Sequence, residues 1–550
     1  MNILVFIVFY LFLYFLGDIV RRSLNLNTLI YGINLSILNP LFFLFVSANF
    51  VFLFNFLFIG SIGVYLVWIF SFLLLILNVK KVTRKFEFLF PAVVIASLLS
   101  FSTYGIDFHY DAGSYHLLNQ SWILQEKIVF GLSNIMFPLG NQSLYEYLST
   151  IFLVFDNLVI LHFLNLVFIT VFFHFLYEIT RSGKSNFLKL TGILLTLFGI
   201  LDNFGYQGGA NGFPNIQNLG KPDIPVAVLL IISNILIFNY LITNDKSDKN
   251  MKLIVYLCIF LIQLRPIALY ILLILVYALS TNGFSFLSKK ENRIFIFSSG
   301  ALTLMWLLKN LIVTGCLLFP VQFTCFFNFS WANQNLVIEA NNHYSNAYLP
   351  YTFDQNIINW FSEWRGINVN NQILINFIGS YLILYALMKI FTIKDLNITK
   401  QTLFIRVYLV TTLGFFFLTI PLFRYSYGLL TSFLLFLVLN RKFRFEFISQ
   451  TKFKVFLLSV IILSPALIVR GYSYLNVIED PINLKVLKIP KIEYTNSDSW
   501  GVVPVPANNN PHEFCWVNIN CNPENKLLKL ETKFNYVFIS ENVNNTRSNG

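Results

Sequence analysis

Residues 224–243 read IPVAVLLIISNILIFNYLIT, an apolar run that contains no charged side chain. A helix rises about 1.5 Å per residue, so a run of this length covers the hydrocarbon core of a bilayer. Three basic residues, Lys246, Lys249 and Lys252, follow within ten positions. Cytoplasmic loops of membrane proteins carry such an excess of Lys and Arg. The stretch therefore predicts a transmembrane helix that ends on the cytoplasmic side.

The same pattern extends in both directions along the 550 residues, of which 56% are hydrophobic and 12% charged. Such a composition falls outside the range of soluble globular proteins. The net charge of +12 lies in short clusters between apolar runs, which argues against nucleic-acid binding. We predict crossings near 3–17, 41–59, 62–78, 88–104, 157–178, 187–201, 224–243, 294–312, 372–392, 402–421, 426–440 and 455–470.

The apolar run 253–280 is interrupted at Gln263-Leu264-Arg265-Pro266. Each half is short, and we interpret the run as a hairpin of two short or half-crossing helices that returns to its starting side. Every basic cluster then lies in the cytoplasm and both termini lie outside. We expect an all-α integral membrane protein with about 12–14 transmembrane helices. The stretches 28–38 and 141–156 are ambiguous, and each is also compatible with an interfacial helix.

Chemistry is expected on the outer face, because the external segments hold most of the acidic, His and Trp residues outside the cytoplasmic loops. These segments are 105–156, 202–223, 313–371, the turn Phe423–Tyr425 and the tail 471–550. A phosphate-binding P-loop motif, an HExxH zinc motif and a GxSxG nucleophile motif are all absent from the sequence. ATP-driven transport and common hydrolase chemistry therefore lose support.

The densest polar cluster, residues 107–116, reads DFHYDAGSYH. Its two carboxylates, Asp107 and Asp111, suit proton abstraction from a hydroxyl acceptor by a general base. The alternative is a solvated loop in which Asp111 caps a helix. A further acid, Asp223, lies beside Lys221 and directly before an apolar run, where helix capping is an equally ordinary explanation.

Basic side chains at membrane depth are costly and usually functional. Arg265, Lys309 and Arg424 are candidates for holding a phosphate group. For Lys309 and Arg424 the alternative is that the side chain reaches the membrane interface. Cys515 and Cys521 are read as a small disulfide loop, since His512 alone does not supply zinc-ligand spacing.

A family resemblance rests on several motifs that occur in order over about residues 88–525. The stretch Tyr110-Asp111-Ala-Gly-Ser-Tyr115-His116 resembles the first outer loop of a group of large bacterial membrane proteins that is similar to the GT-C superfamily of membrane glycosyltransferases. The later motifs are Pro222-Asp223-Ile-Pro, Lys309-Asn310 with Gly315 and Phe319-Pro320, Pro421-Leu-Phe-Arg424-Tyr-Ser-Tyr427-Gly, and Cys515-Trp516 with Cys521.

The resemblance implies a GT-C-like core at 80–470, with residues 1–79 as an N-terminal addition and 471–550 as an extracytoplasmic tail. It implies a polyprenyl-phosphate-linked sugar donor and a glycan or lipid acceptor in a bacterial inner membrane. Asp111 would then be the base, supported by Asp107 or Asp223. Lys309 and Cys316 depart from the pattern, where Arg and an aromatic residue are expected. The expected substrate-binding residues are Tyr115, His116, Lys221, Arg265, Lys309, Arg424 and Tyr427.

Three other functions stay open at this point. They are a surface-polysaccharide polymerase or ligase, a transporter or flippase of lipid-linked glycans, and a non-catalytic scaffold. A transporter would place its ionisable residues along a pathway at the bilayer midplane. Metal dependence is also open, because an acidic pair is compatible with a divalent ion and with metal-free catalysis.

Overall fold

The computed structural model describes most of the chain. The described residues are 1–26, 29–82, 86–141, 143–153, 155, 157–202, 218–219, 221–245, 247–281, 283–395, 399–419, 421–444, 451–470, 486–497, 500–504 and 514–541.

Helices form most of this structure. They are α1 Asn2–Ser23, α2 Asn39–Asn55, α3 Gly60–Val82, α4 Phe86–Ser100, α5 Leu117–Gln125, α6 Leu144–Leu153, α7 Val159–Ser182, α8 Asn186–Asp202, α9 Asp223–Ile242, α10 Asp248–Leu264, α11 Ile271–Ser280, α12 Ser285–Ser288, α13 Arg293–Thr314, α14 Gln334–Tyr348, α15 Ile357–Gly366, α16 Asn368–Phe391, α17 Lys400–Thr419, α18 Phe423–Phe433, α19 Thr451–Leu463 and α20 Pro465–Arg470.

The strands are short and pair only in twos. They are β1 Leu29–Ile30, β2 Ile33–Asn34, β3 Asp107–Phe108, β4 Asn218–Leu219, β5 Thr392–Lys394, β6 Arg441–Phe443, β7 Tyr494–Asn496, β8 Val502–Pro504, β9 Leu528–Lys533 and β10 Tyr536–Glu541. The pairs are β1–β2, β3–β4, β5–β6, β7–β8 and β9–β10, and β3–β4 is the parallel one.

Within the described residues, nine helical segments are long and apolar enough to cross a membrane. The central ones, α7 and α9, are buried almost throughout, whereas only about a fifth of the residues of α13 and α16 are buried. A helix that is apolar on all sides requires either protein or lipid around it. The expectation of a mostly helical protein with several helices long and apolar enough to span a membrane is thus confirmed in this coarser form.

The remaining predicted crossings correspond to shorter helices. Segments Leu89–Gly105, Pro266–Ser280 and Tyr427–Leu437 are apolar but fall short of a full span. Helices α8 and α10 have 17 residues each, about 25 Å at the rise of an α-helix. Fewer spans than the predicted 12–14 are counted among the described residues because these shorter helices do not reach the length that a helix needs to cross a membrane on its own. The full count of crossings stays a prediction.

Loop contacts divide the molecule into two ends, and they agree with the charge pattern. At one end, Lys289 Nζ lies 2.8 Å from Asp248 Oδ2, so the hairpin of α10 and α11 returns to its starting end. At the other end, the Asn2 side chain donates to Thr103 Oγ1 at 2.8 Å. Both contacts join segments predicted to share a side. Which end faces the cytoplasm stays a prediction.

The two ambiguous stretches are resolved by packing. Residues 29–34 form a small hairpin, and a 3-10 turn at Leu35–Leu38 leads from it into α2. Helix α6, from the stretch 141–156, is enclosed by protein and packs against α2 and α5. It therefore does not lie on a membrane surface, and its polar side chains face the interior of the protein.

The predicted N-terminal addition packs into the same core as the rest of the chain. Helix α1 contacts α2 and α4, and α2 contacts α6. Phe6 of α1 lies 5.2 Å, ring centre to ring centre, from Phe163 of α7. These helices consequently pack against the segment 105–156, which is predicted to lie outside.

The C-terminal tail covers one end of the helices. Cys515 is joined to Cys521 by a disulfide bond, and the Trp516 amide donates to the Gly113 carbonyl at 3.2 Å. Further along, the Asn134 side chain donates to the Ile539 carbonyl at 2.8 Å. The tail is thereby fixed to the first outer segment at two points.

Candidate functional site

A cavity of about 360 Å³ opens at the end that the tail covers. Its wall is formed by residues between 115 and 146 of the first outer segment, by Pro222, by the helix break 264–267, by residues between 319 and 350, and by Tyr425. Segments predicted to lie outside thus meet the break of the predicted 253–280 hairpin at one site. A cavity of this size is in the range that binds small ligands.

One wall carries a buried carboxylate and imidazole pair. The chain enters α5 through a π-helical turn, Ala112–His116, which turns the His116 ring toward α6. His116 Nδ1 lies 2.5 Å from Glu146 Oε1, and Gln120 donates to Glu146 Oε2 at 2.9 Å. Both carboxylate oxygens therefore have partners, as a buried carboxylate requires.

Another part of the wall carries Arg265. Pro266 disfavours helical geometry at the preceding residue, and Arg265 accordingly adopts an extended backbone where α10 ends. Its guanidinium forms an ion pair with Asp223 and lies 4.2 Å from the centre of the Tyr425 ring. Asp223 begins α9, where the helix dipole favours a carboxylate. These partners orient a cationic fork at the cavity wall.

Asp111 lies beside the cavity. Its Oδ2 is 3.3 Å from His109 Nδ1, and it is not among the described residues that form the cavity wall. Burial raises the pKa of the half-buried Tyr344 phenol to about 12, with smaller effects from the charges of Arg265 and Asp111. Tyr344 does line the cavity, so both charges act on one of its walls.

Three predicted substrate-binding residues lie outside the cavity wall. Lys309 is buried, and its Nζ lies 4.7 Å from the centre of the Tyr147 ring, at a small adjoining pocket. Lys221 is buried next to Pro222. Tyr427 is buried with its ring 6.5 Å from that of Phe198. Tyr115, by contrast, lines the cavity together with His116 and Arg265.

Two further predictions fall on side chains that lie outside the described residues. Asp107 is described by its backbone alone, which pairs with Asn218 in β3–β4. Arg424 is likewise described only as part of the first turn of α18. Both assignments stay predictions.

Among the described residues, no group of three or more His, Cys, Asp or Glu side chains is arranged to hold a metal ion. A second disulfide bond joins Cys316 to Cys325 in the segment that contributes Phe319 and Pro320 to the cavity.

Residues 1–431 match the family described as a domain of unknown function, DUF8201. The chain belongs to this family. No curated protein and no solved structure matches it. The DUF8201 match includes every cavity-wall residue named above, and the tail at 514–541 lies beyond it.

Sequence reasoning missed Glu146, the one carboxylate among the described wall residues of this DUF8201 site. The stretch 141–156 is apolar enough to suggest an interfacial helix, and its two acids, Glu146 and Asp156, form no motif. A usable signal is present, because a carboxylate in an otherwise apolar helix of ten residues is rare and is usually paired. Its partner, His116, lies 30 residues earlier in the sequence, so the pair becomes evident only from the packing of α5 and α6.

Proposed function

We propose that the protein is a membrane glycosyltransferase. It would move a sugar from a polyprenyl-phosphate-linked donor to a glycan or lipid acceptor on the extracytoplasmic side of a bacterial cytoplasmic membrane. The observation that supports this most is the meeting of the predicted outer segments around one cavity that combines Arg265 with the His116 and Glu146 pair.

Arg265 suits the phosphate of such a donor. A guanidinium offers parallel N–H groups to two oxygens of a phosphate, and Asp223 and Tyr425 fix its orientation. The group lies at the end of α10 rather than halfway along a helix. A donor whose prenyl chain stays among the lipids would therefore present its phosphate at this level.

The neighbouring segment offers apolar contacts to the lipid part of the donor. Pro320 and Val321 line the cavity, while Phe323, in the same disulfide-closed loop, is 91% exposed. An exposed aromatic side chain beside a cavity is typical of a surface that meets lipid. This loop would then join the bilayer to the reaction site.

The experiment is turnover by purified protein with a panel of polyprenyl-phosphate sugars, measured as release of polyprenyl phosphate. We compare the wild type with Arg265→Gln, with Asp111→Asn, and with Arg365→Gln as a matched control, because Arg365 is exposed on α15. We expect Arg265→Gln to lose turnover, whether or not Asp111→Asn also loses it. Arg365→Gln should keep full turnover.

Two results would overturn the proposal. One is the absence of release from every donor by a monodisperse wild-type protein. The other is transfer of an intact lipid-linked glycan across vesicles without release of polyprenyl phosphate, which would identify a flippase.

A further inference from the structure

We propose that His116 accepts the proton of the acceptor hydroxyl and that the buried Glu146 positions it for this role. The inference rests on the proposed function, and it assigns the base to a different side chain from Asp111. Its basis is the contact between His116, directly before α5, and Glu146 of α6, which the sequence did not reveal.

The hydrogen bonds determine which ring nitrogen faces the substrate. Glu146 accepts at Oε1 from the His116 ring at 2.5 Å and at Oε2 from Gln120 at 2.9 Å. A carboxylate partner assigns the ring proton to Nδ1, which leaves the Nε2 lone pair as the acceptor. Because His116 lines the cavity, Nε2 is the ring nitrogen available to a bound hydroxyl group.

Glu146 has a buried basic neighbour at the small adjoining pocket. Glu146 is 1% exposed, and an isolated carboxylate at such a site would be very costly. Lys309, on α13, interacts with it electrostatically. Lys309 is itself buried and borders the small adjoining pocket rather than the cavity. This gives Lys309 a role in supporting the pair in place of the predicted contact with substrate.

Asp111 is less suited to the same task. Its carboxylate lies 3.3 Å from His109 Nδ1, and its own amide donates to that nitrogen at 3.1 Å. It is absent from the described cavity wall, where His116 is present. The geometry thus favours the imidazole as the group that reaches a hydroxyl inside the cavity.

The transfer step balances with these groups. The acceptor O–H bond breaks, its proton goes to His116 Nε2, and the oxygen forms a new bond to the anomeric carbon of the donor. The bond between that carbon and the phosphate oxygen breaks, and its electron pair leaves with the polyprenyl phosphate next to Arg265. The protonated imidazole, stabilised by Glu146, then returns its proton to solvent.

The first test compares turnover in matched variants. We expect His116→Asn to lower kcat by about 100-fold or more, and Glu146→Gln to lower kcat with little change in KM. His343→Asn serves as the control for His116, since His343 is exposed on the outer helix α14. Glu178→Gln serves for Glu146, since Glu178 is equally buried at the other end of the molecule. Recovery of activity in Glu146→Asp separates positioning from a merely structural role.

The second test needs no substrate. Carbethoxylation of His116 by diethyl pyrocarbonate is followed by mass spectrometry in the wild type and in Glu146→Gln. Because the Glu146 carboxylate orients the ring so that Nε2 faces the cavity, the wild-type rate should be about tenfold higher or more. Glu178→Gln should leave the rate of His116 modification unchanged.

The two tests separate the failure of this inference from the failure of the proposed function. An unmodified His116, or a modification rate that ignores Glu146, overturns the pair as a reactive unit even if the protein transfers sugars. Turnover that survives His116→Asn but not Asp111→Asn returns the base role to Asp111. If modification of His116 depends on Glu146 but no donor is turned over, the glycosyltransferase proposal and this transfer step are both wrong. His116 and Glu146 would then form a reactive pair that serves another chemistry.

Discussion

Replacing Arg265 by Gln should destabilise the protein as well as inactivate it, and the two effects can be separated. The change leaves the Asp223 carboxylate, which is 8% exposed, without its guanidinium partner. Removing one member of a buried ion pair costs about 3–5 kcal/mol. Loss of the contact with the Tyr425 ring adds about 1 kcal/mol. Arg265 is 21% exposed, so water entering the gap should keep the total near the lower end of this range.

The double variant Asp223→Asn/Arg265→Gln should recover much of this loss. It removes the uncompensated charge and leaves mainly the missing ring contact, so the double variant should be more stable than Arg265→Gln by about 2 kcal/mol. The assay is unfolding in mixed micelles, followed by tryptophan fluorescence, with turnover measured on the same samples. Turnover should remain absent in the double variant despite its recovered stability.

Two outcomes would refute this reasoning. If the stability changes of Arg265→Gln and of Asp223→Asn, each measured alone, simply add in the double variant, Arg265 and Asp223 are not coupled. If turnover returns with stability, Arg265 is a structural residue and does not bind the donor phosphate.

Three other predictions follow from the described contacts. Gly113→Ala should loosen the tail and increase its cleavage by added protease, because a Cβ atom there would lie 2.6 Å from the Phe514 ring; Gly300→Ala, which meets nothing within 4 Å, should leave cleavage unchanged. Cysteines placed at Lys289 and at Asn342 should react with a membrane-impermeant thiol reagent from opposite sides of sealed vesicles, and labelling from one side would contradict the two-ended arrangement. The phenol of Tyr344, with a pKa raised to about 12, stabilises the fold below pH 10 and loses this contribution as the pH rises toward 12; Tyr344→Phe should therefore reduce alkaline unfolding in that window, and an identical profile would contradict it.

Hydropathy and charge predicted most helices well, because each crossing is a local property of about 20 residues. The place of Arg265 in the cavity wall has a similar local signal, since a charge beside Pro266 inside an apolar run conflicts with its surroundings. Tyr115 and His116 were found by their closeness to Asp111. All three of these wall residues carry a signal within their own segment.

Other parts of the site depend on long-range packing and had no local signal. The partnership of Glu146 with His116 requires α6 to pack against α5, and an apolar segment with one acid predicts only an amphipathic helix. Lys309 lies at the small adjoining pocket and contacts the ring of Tyr147, which also belongs to α6. The segment that hydropathy left ambiguous is therefore the one that arranges the centre of the site.

The attachment of the tail has a consequence for the order of events during synthesis. Asn134 and the Ile539 carbonyl that it binds are 405 residues apart. At about 5–20 residues per second, a ribosome needs about 20–80 s to travel that distance. For this interval the nascent segment 105–156 lacks its contacts with the tail, so a chain that ends early would reach the membrane with this segment uncovered.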